Sequence, residues 1–206
     1  MVDKITRLVQ VPEGIGSTWK DMGDGTHALV VYIGNKEDKM TGALTTITYP
    51  HHEVHSGSTF YASYLSPHGS EIANDASLDI LIQNSATKGS HLFWQVGAGG
   101  NAELLFYEDT TTTNLGTALA ESNMNRASVK VAGTVVTHTP TVSAAGTLLA
   151  NYFLPGGSGP KAGGGGVRQG TEWILEKSKV YLLRVTNRSG GAQMQSVVVE
   201  WYEESG

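Results

Sequence analysis

The chain has no cysteine, which removes disulfides, thiolate metal sites and a cysteine nucleophile together. Charge is scarce: Asp, Glu, Lys and Arg make up 16% of the 206 residues, against roughly 25% in ordinary globular domains. The net charge of -5 has the wrong sign for clustered phosphate contacts, so nucleic acid is not an expected partner. No apolar run approaches the roughly 18–20 residues a membrane helix needs, and no membrane partner is expected. The first residues, MVDKITRLVQVPEG, lack the apolar core of a secretory signal. The expectation is a soluble protein made in the cytoplasm.

What is present points to β-structure. The 26 glycines exceed the roughly 7% average, and threonine is abundant. The most regular stretch is 171–203. Tyr181, Leu183 and Val185 alternate with Leu182, Arg184 and Thr186. After Asn187-Arg188-Ser189-Gly190-Gly191, Val197, Val199 and Trp201 alternate with Val198, Glu200 and Tyr202. Period-two alternation across a glycine-containing loop predicts an antiparallel hairpin, with those six residues buried together. Further strands are expected at 27–33, 59–65, 75–83, 90–96, 102–108, 126–137 and 146–154. The 90–96 and 102–108 runs are expected to pair across Gly97–Asn101 as a second hairpin. The segment 44–49 leans β, while 109–114 and 115–125 are read as loops. Nine to eleven short strands without a long helix predict an all-β, antiparallel β-sandwich, jelly-roll-like.

Residues 1–26 are read as an extended N-terminal arm, and 27–206 as the sandwich domain. Within the arm, 4–11 is a short two-faced strand, ended by Pro12, Gly14 and Gly16. The alternative is an edge strand of the same domain.

Each candidate for chemistry meets a physical objection. On a strand, His51, Glu53 and His55 would share a face, with His52 opposite. A zincin site needs H-E-x-x-H on a helix, and the run H-H-E-V-H beside Pro50 is read as the lead-in to a strand. No metal or cofactor is expected. The glycine tract 155–170 has Lys161 followed by Ala162 and then a strand. It lacks the G-x-x-x-x-G-K-[ST] loop onto a helix that a phosphate cradle requires. It is read as a loop for close approach to another chain. There is no G-x-S-x-G elbow. The carboxylates Glu71, Asp75, Asp79, Glu103 and Glu108 are scattered without a selected pair. Trp94 and Trp201 share faces with apolar neighbours and are expected in the core. Trp19 and Trp173 are left as possible stacking platforms for a sugar.

Several short motifs carry a resemblance. They are HHEVHSG at 51–57 ahead of an aromatic strand, Phe106-Tyr107-Glu108 before a Thr-rich loop, and NMNRAS at 123–128. Thr139-Pro140-Thr141, Gly146-Thr147-Leu148 and GGGGVR at 163–168 follow. The last are Glu172, Ile174-Leu175, Tyr181, Arg184-Val185-Thr186-Asn187 and Trp201-Tyr202-Glu203. Over about 50–203 the chain resembles tailed-bacteriophage virion structural proteins of the capsid decoration or minor capsid type. The resemblance implies a non-enzymatic protein that decorates and stabilises a capsid, as a homotrimer on its surface. The implied partners are the major capsid protein and further copies of the chain. Placement at a neck, tail or fibre stays open, as does a receptor- or glycan-binding role there. The residues expected at partner interfaces are Ile5, Arg7, Leu8, Val9 and Trp19 in the arm, and Lys161 and Arg168 in the glycine tract.

Overall fold

The computed structural model describes residues 15–21, 27–33, 49–156, 166–168 and 172–205. The chain divides into two units, 1–47 and 48–206. In the first, β1 (Ile15–Asp21) pairs antiparallel with β2 (His27–Ile33), Trp19 lying opposite Leu29. The boundary expected after residue 26 falls in the connection between these two strands. The 4–11 strand and most of 44–49 lie outside the described residues.

The second unit begins with a helix, α1 (Tyr49–Ser56). Strands β3 (Thr59–Leu65), β4 (Ser77–Gln83), β5 (Lys88–Ala98) and β6 (Ala102–Glu108) follow. Next come the short strands β7 (Thr111–Asn114), β8 (Thr117–Ala118), β9 (Ser122–Asn123), β10 (Val135–His138) and β11 (Thr141–Ala144). The chain closes with β12 (Thr147–Leu154), β13 (Gly166–Arg168), β14 (Trp173–Leu175), β15 (Val180–Asn187) and β16 (Gln195–Ser205).

Two antiparallel sheets pack face to face. One has the order β12-β6-β15-β4-β10-β8 and the other β13-β5-β16-β3-β9, with β14 also on β5. With β13 and β14 counted as one position, eight main strands remain. The first pairs with the last (β3–β16), the second with the seventh (β4–β15), the third with the sixth (β5–β13/β14) and the fourth with the fifth (β6–β12). This nested pairing is the jelly roll.

Alternation fills the space between the sheets. Leu78, Ile80, Ile82, Leu104, Phe106, Tyr181, Leu183 and Val185 face Phe60, Leu92, Trp94, Val96, Val197, Val199 and Trp201, all at most 2% exposed. The six residues expected to be buried together are buried in this one core. Their strands, however, do not form a hairpin: β15 and β16 lie in opposite sheets, and so do β5 and β6. Period-two alternation says which side chains point inward. It does not say which strand is the hydrogen-bonded neighbour, and inward-facing strands on either side of a sandwich carry the same pattern.

The two sheet-crossing connections lie side by side. Arg188 N donates to Asn101 O (2.8 Å), and Gly99 N to Met194 O (3.0 Å). Buried Asn187 donates from Nδ2 to Ile72 O and Gly191 O, both at 2.7 Å, and its Oδ1 accepts from Ser189 N and Gln193 Nε2. A Cβ on Gly100 would stand 2.8 Å from the Ser189 Cβ, so a side chain there would force the two connections apart.

The other differences are local. The 126–137 run is a strand only at β10, because Asn123, Asn125 and Ser128 side chains bind backbone groups and hold 123–130 in turns. The loops expected at 109–114 and 115–125 instead hold β7, β8 and β9, with β8 on the edge of one sheet and β9 on the edge of the other. The described end of the glycine tract, Gly166–Arg168, is a strand paired with Gln95–Gly97.

Candidate functional site

The sandwich presents apolar side chains at its margins. β12 ends its sheet, and no described strand pairs with its outer edge. Its inward residue Leu154 is buried, whereas Phe153 is 64% exposed and Leu148 49%. Phe153 stands opposite Glu103 in the ladder. Arg188 reaches the same place, donating to Glu103 Oε2 (3.0 Å) and Asp75 Oδ1 (2.7 Å). Glu103, Asn151, Tyr152, Phe153 and Arg188 line a shallow cleft of about 470 Å³. An exposed aromatic ring beside an amide, a carboxylate and a guanidinium offers both stacking and polar contacts. Ile174 on β14 is 72% exposed, and Val129 and Val131 are 94% and 77% exposed.

The scattered carboxylates have structural partners. Asp79 takes a two-pronged bond from Arg184 (2.8 and 2.7 Å). Glu108 Oε2 accepts from the Tyr181 hydroxyl (2.9 Å), and Glu71 accepts from Gly69 N (2.9 Å). Burial, with Glu108 alongside, pushes the Tyr181 phenol well above its ordinary value, so it stays a donor.

Glu203 is 4% exposed and ties three regions together. It accepts from Gly133 N (2.7 Å), Thr134 N (2.8 Å) and Trp201 Nε1 (3.3 Å), and Lys88 Nζ donates to its other oxygen (2.8 Å). Burial raises its pKa, but Lys88 and the backbone N–H groups outweigh that and leave it below the usual carboxylate value. Nearby Glu121, which accepts from Val136 N (3.1 Å), goes the other way: burial raises it, and the Glu203 charge adds to the rise.

On the outer face of the β5 sheet, His91 stacks on Tyr202 with centroids 4.4 Å apart. His91 Nδ1 lies 2.6 Å from Glu172 Oε1 and 2.9 Å from the Tyr202 hydroxyl, which also bonds Glu172. Glu204 lies 3.6 Å from His91 Nε2. This cluster docks Glu172, the residue just before β14, onto the sheet.

The histidine stretch is helical, which corrects the strand reading. Pro50 suits the first turn of a helix because its missing N–H has no partner there. The end is a Schellman turn: Ser58 N bonds Glu53 O (3.0 Å), Gly57 N bonds Val54 O (3.1 Å), and Gly57 takes φ of 74°. Three-residue and four-residue spacing therefore replaces alternation. His51 and His55 share one exposed face, their Nε2 atoms 2.9 Å apart, while Glu53 turns inward at 8% exposure. Glu53 accepts from Ser56 Oγ (3.1 Å) and meets His52 Nδ1 (3.0 Å).

Of the residues expected at partner interfaces, Ile5, Arg7, Leu8, Val9 and Lys161 lie outside the described residues. Trp19 and Arg168 sit on β1 and β13, and they are described through the backbone alone. Trp173 is not an open platform: it packs against the core, stacked at 6.0 Å on Trp94 and edge-on at 5.3 Å to Phe106. The exposed ring is Phe153, which strand alternation in 146–154 could have placed outward had the Leu148–Ala150 register shift been visible. In comparison with known proteins, no family model, curated sequence or solved structure matches the chain.

Proposed function

We propose that this is a non-enzymatic virion structural protein that decorates and stabilises a bacteriophage capsid from its surface, as a homotrimer. The observation that carries the reading is the jelly-roll sandwich with apolar side chains left at its margins: Phe153 and Leu148 on β12, whose outer edge pairs with no described strand, Ile174 on β14, and Val129 and Val131 in the connection before β10. Large apolar groups at sheet edges fit surfaces that other subunits cover. The motif resemblance supports the same reading. A specific interface usually buries about 1,200–2,000 Å², and an arm adding a strand to a neighbour's open edge supplies such area through backbone pairing. Residues 1–26, with Ile5, Arg7, Leu8 and Val9, take that role towards the major capsid protein or a neighbouring copy.

The test is copy number and location on purified particles, with binding of the isolated protein to undecorated capsids. Hundreds of copies per particle, and capsid binding weakened by deletion of 1–26 while the sandwich stays folded, are expected. Tens of copies or fewer, or undiminished binding by the deleted chain, would overturn the reading.

The cleft at Phe153 and Arg188 favours a second reading, a receptor- or glycan-binding module of a head or tail fibre. Glycan binding by the isolated protein that is lost on Phe153→Ala would select it.

A further inference from the structure

We infer that α1 carries a bidentate site for a divalent transition metal, with the Nε2 atoms of His51 and His55 as its protein ligands. The strand reading gave these two imidazoles no common chelating geometry. The helix puts them one turn apart on a single exposed face, rings tilted by 31° with centroids 4.8 Å apart. Imidazole nitrogens bind such ions at about 2.0–2.1 Å, so two of them subtending a right angle at one ion stand about 2.9 Å apart, and about 3.3 Å apart at a tetrahedral angle. The observed Nε2–Nε2 distance is 2.9 Å. That is the contact distance of the hydrogen bond between the metal-free rings, and it lies close enough to either spacing for one ion to bridge them. Cu²⁺ and Ni²⁺ are the first choice because imidazole suits them and they stand high in the order of divalent-ion affinities.

The ligands are held in place before an ion arrives. The Schellman turn ends the helix directly after them. Asn125 Nδ2 donates to His55 O (3.0 Å) and Asn123 Nδ2 to Gly57 O (2.8 Å), fastening the last turn to the 123–130 connection. Without metal, one ring donates its Nε2–H to the other. With metal, the donating ring takes its Nδ1–H tautomer, both Nε2 lone pairs face the ion and no net proton leaves. Among the described residues no group of three or more potential ligands occurs, so the site proposed there has two protein ligands.

The experiment is calorimetric titration of the full chain with Ni²⁺ and with Cu²⁺, alongside His51→Ala, His55→Ala and His52→Ala, each checked for folding by circular dichroism. One ion per chain is expected. Losing one arm of a chelate should weaken binding about 100-fold or more for His51→Ala and for His55→Ala, while His52→Ala binds within about twofold of the parent. The melting midpoint of the parent should rise with the ion and return with a chelator. Absence of saturable binding, or equal binding by the parent and the two single variants, overturns the proposal. A variant that loses its fold is replaced by His51→Gln or His55→Gln, read against the same thresholds.

Discussion

The sandwich interior and the segment 109–144 along its rim are held by different means. Inside, fully buried apolar side chains from both sheets interlock, with Trp94, Phe106 and Tyr181 in ring contact. Along the rim, polar side chains bind backbone. Thr110 Oγ1 donates to Ala145 O (2.6 Å) and Thr137 Oγ1 to Leu115 O. Glu121 takes Val136 N, Asn123 holds Gly57 O, and Glu203 holds Gly133 and Thr134. By alternation Leu81 and Leu182, partners in the β4–β15 ladder, point away from the core, yet both are 0% exposed. The difference teaches that a jelly roll needs two kinds of adhesive. Alternation closes the sandwich, and side-chain bonds to backbone fasten what bridges its edges.

The sharpest way to break the interior is Trp201→Ala. Removing a fully buried indole should cost about 3–5 kcal/mol in urea unfolding. An effect below about 1 kcal/mol would mean that Trp201 is not in the core.

The rim should yield next. Glu203→Gln keeps shape but removes the charge that four donors share, and about 2–3 kcal/mol should be lost. The pH response follows from the lowered pKa. Glu203 contributes its full stabilisation above the ordinary carboxylate value, and the contribution disappears as pH falls through the lower folded value. Glu121, with its raised pKa, acts in reverse: its protonated form favours the fold, and that contribution is lost as pH rises through the raised value. Glu121→Gln should therefore raise the melting midpoint at neutral pH, with the gain shrinking on acidification. Equal effects of the two variants across pH 3–8, followed by thermal melts, would remove the distinction.

A smaller loss is expected where the two regions meet. Gly57 has φ of 74°, and a Cβ there would stand 2.2 Å from Ser128 Oγ. Gly57→Ala should cost about 1–2 kcal/mol from the left-handed backbone alone, and more because Ser128 Cβ, 2.6 Å from the new methyl, can clear it only by a backbone shift. Phe153→Ala should change stability by no more than about 0.5 kcal/mol, since the ring is exposed. Its effect should instead be on self-association or capsid binding, read by sedimentation and pull-down on particles.

Much of the sandwich was legible from local pattern. The strands at 59–65 and 102–108 were placed residue for residue, and the buried set around Trp201 was read correctly from alternation. The pairing was not legible, since β15 and β16 look the same whether they are neighbours or opposite walls. The helix at 49–56 was missed because His and Val are weak helix formers, Val leans to strand, and its hydrophobic patterning is faint. Its signals were Pro50 at the start and Gly57 at the end. The Phe153 cleft was missed because Arg188 and Glu103 are far apart in sequence and meet only through the ladder β12-β6-β15.

By itself, the sequence determined a predominantly β chain, the inward face of the two closing strands and the places where glycine breaks them. These follow from interactions between residues one or two apart, which any extended chain expresses. The tertiary structure decided which strands are neighbours, where Glu203 and Asn187 find their donors and acceptors, and that His51 and His55 converge. Those depend on contacts that reach as far as 115 positions along the chain, as from Lys88 to Glu203 and from Ile72 to Asn187, or on a helix whose end is fastened by Asn123 and Asn125 from another part of the chain.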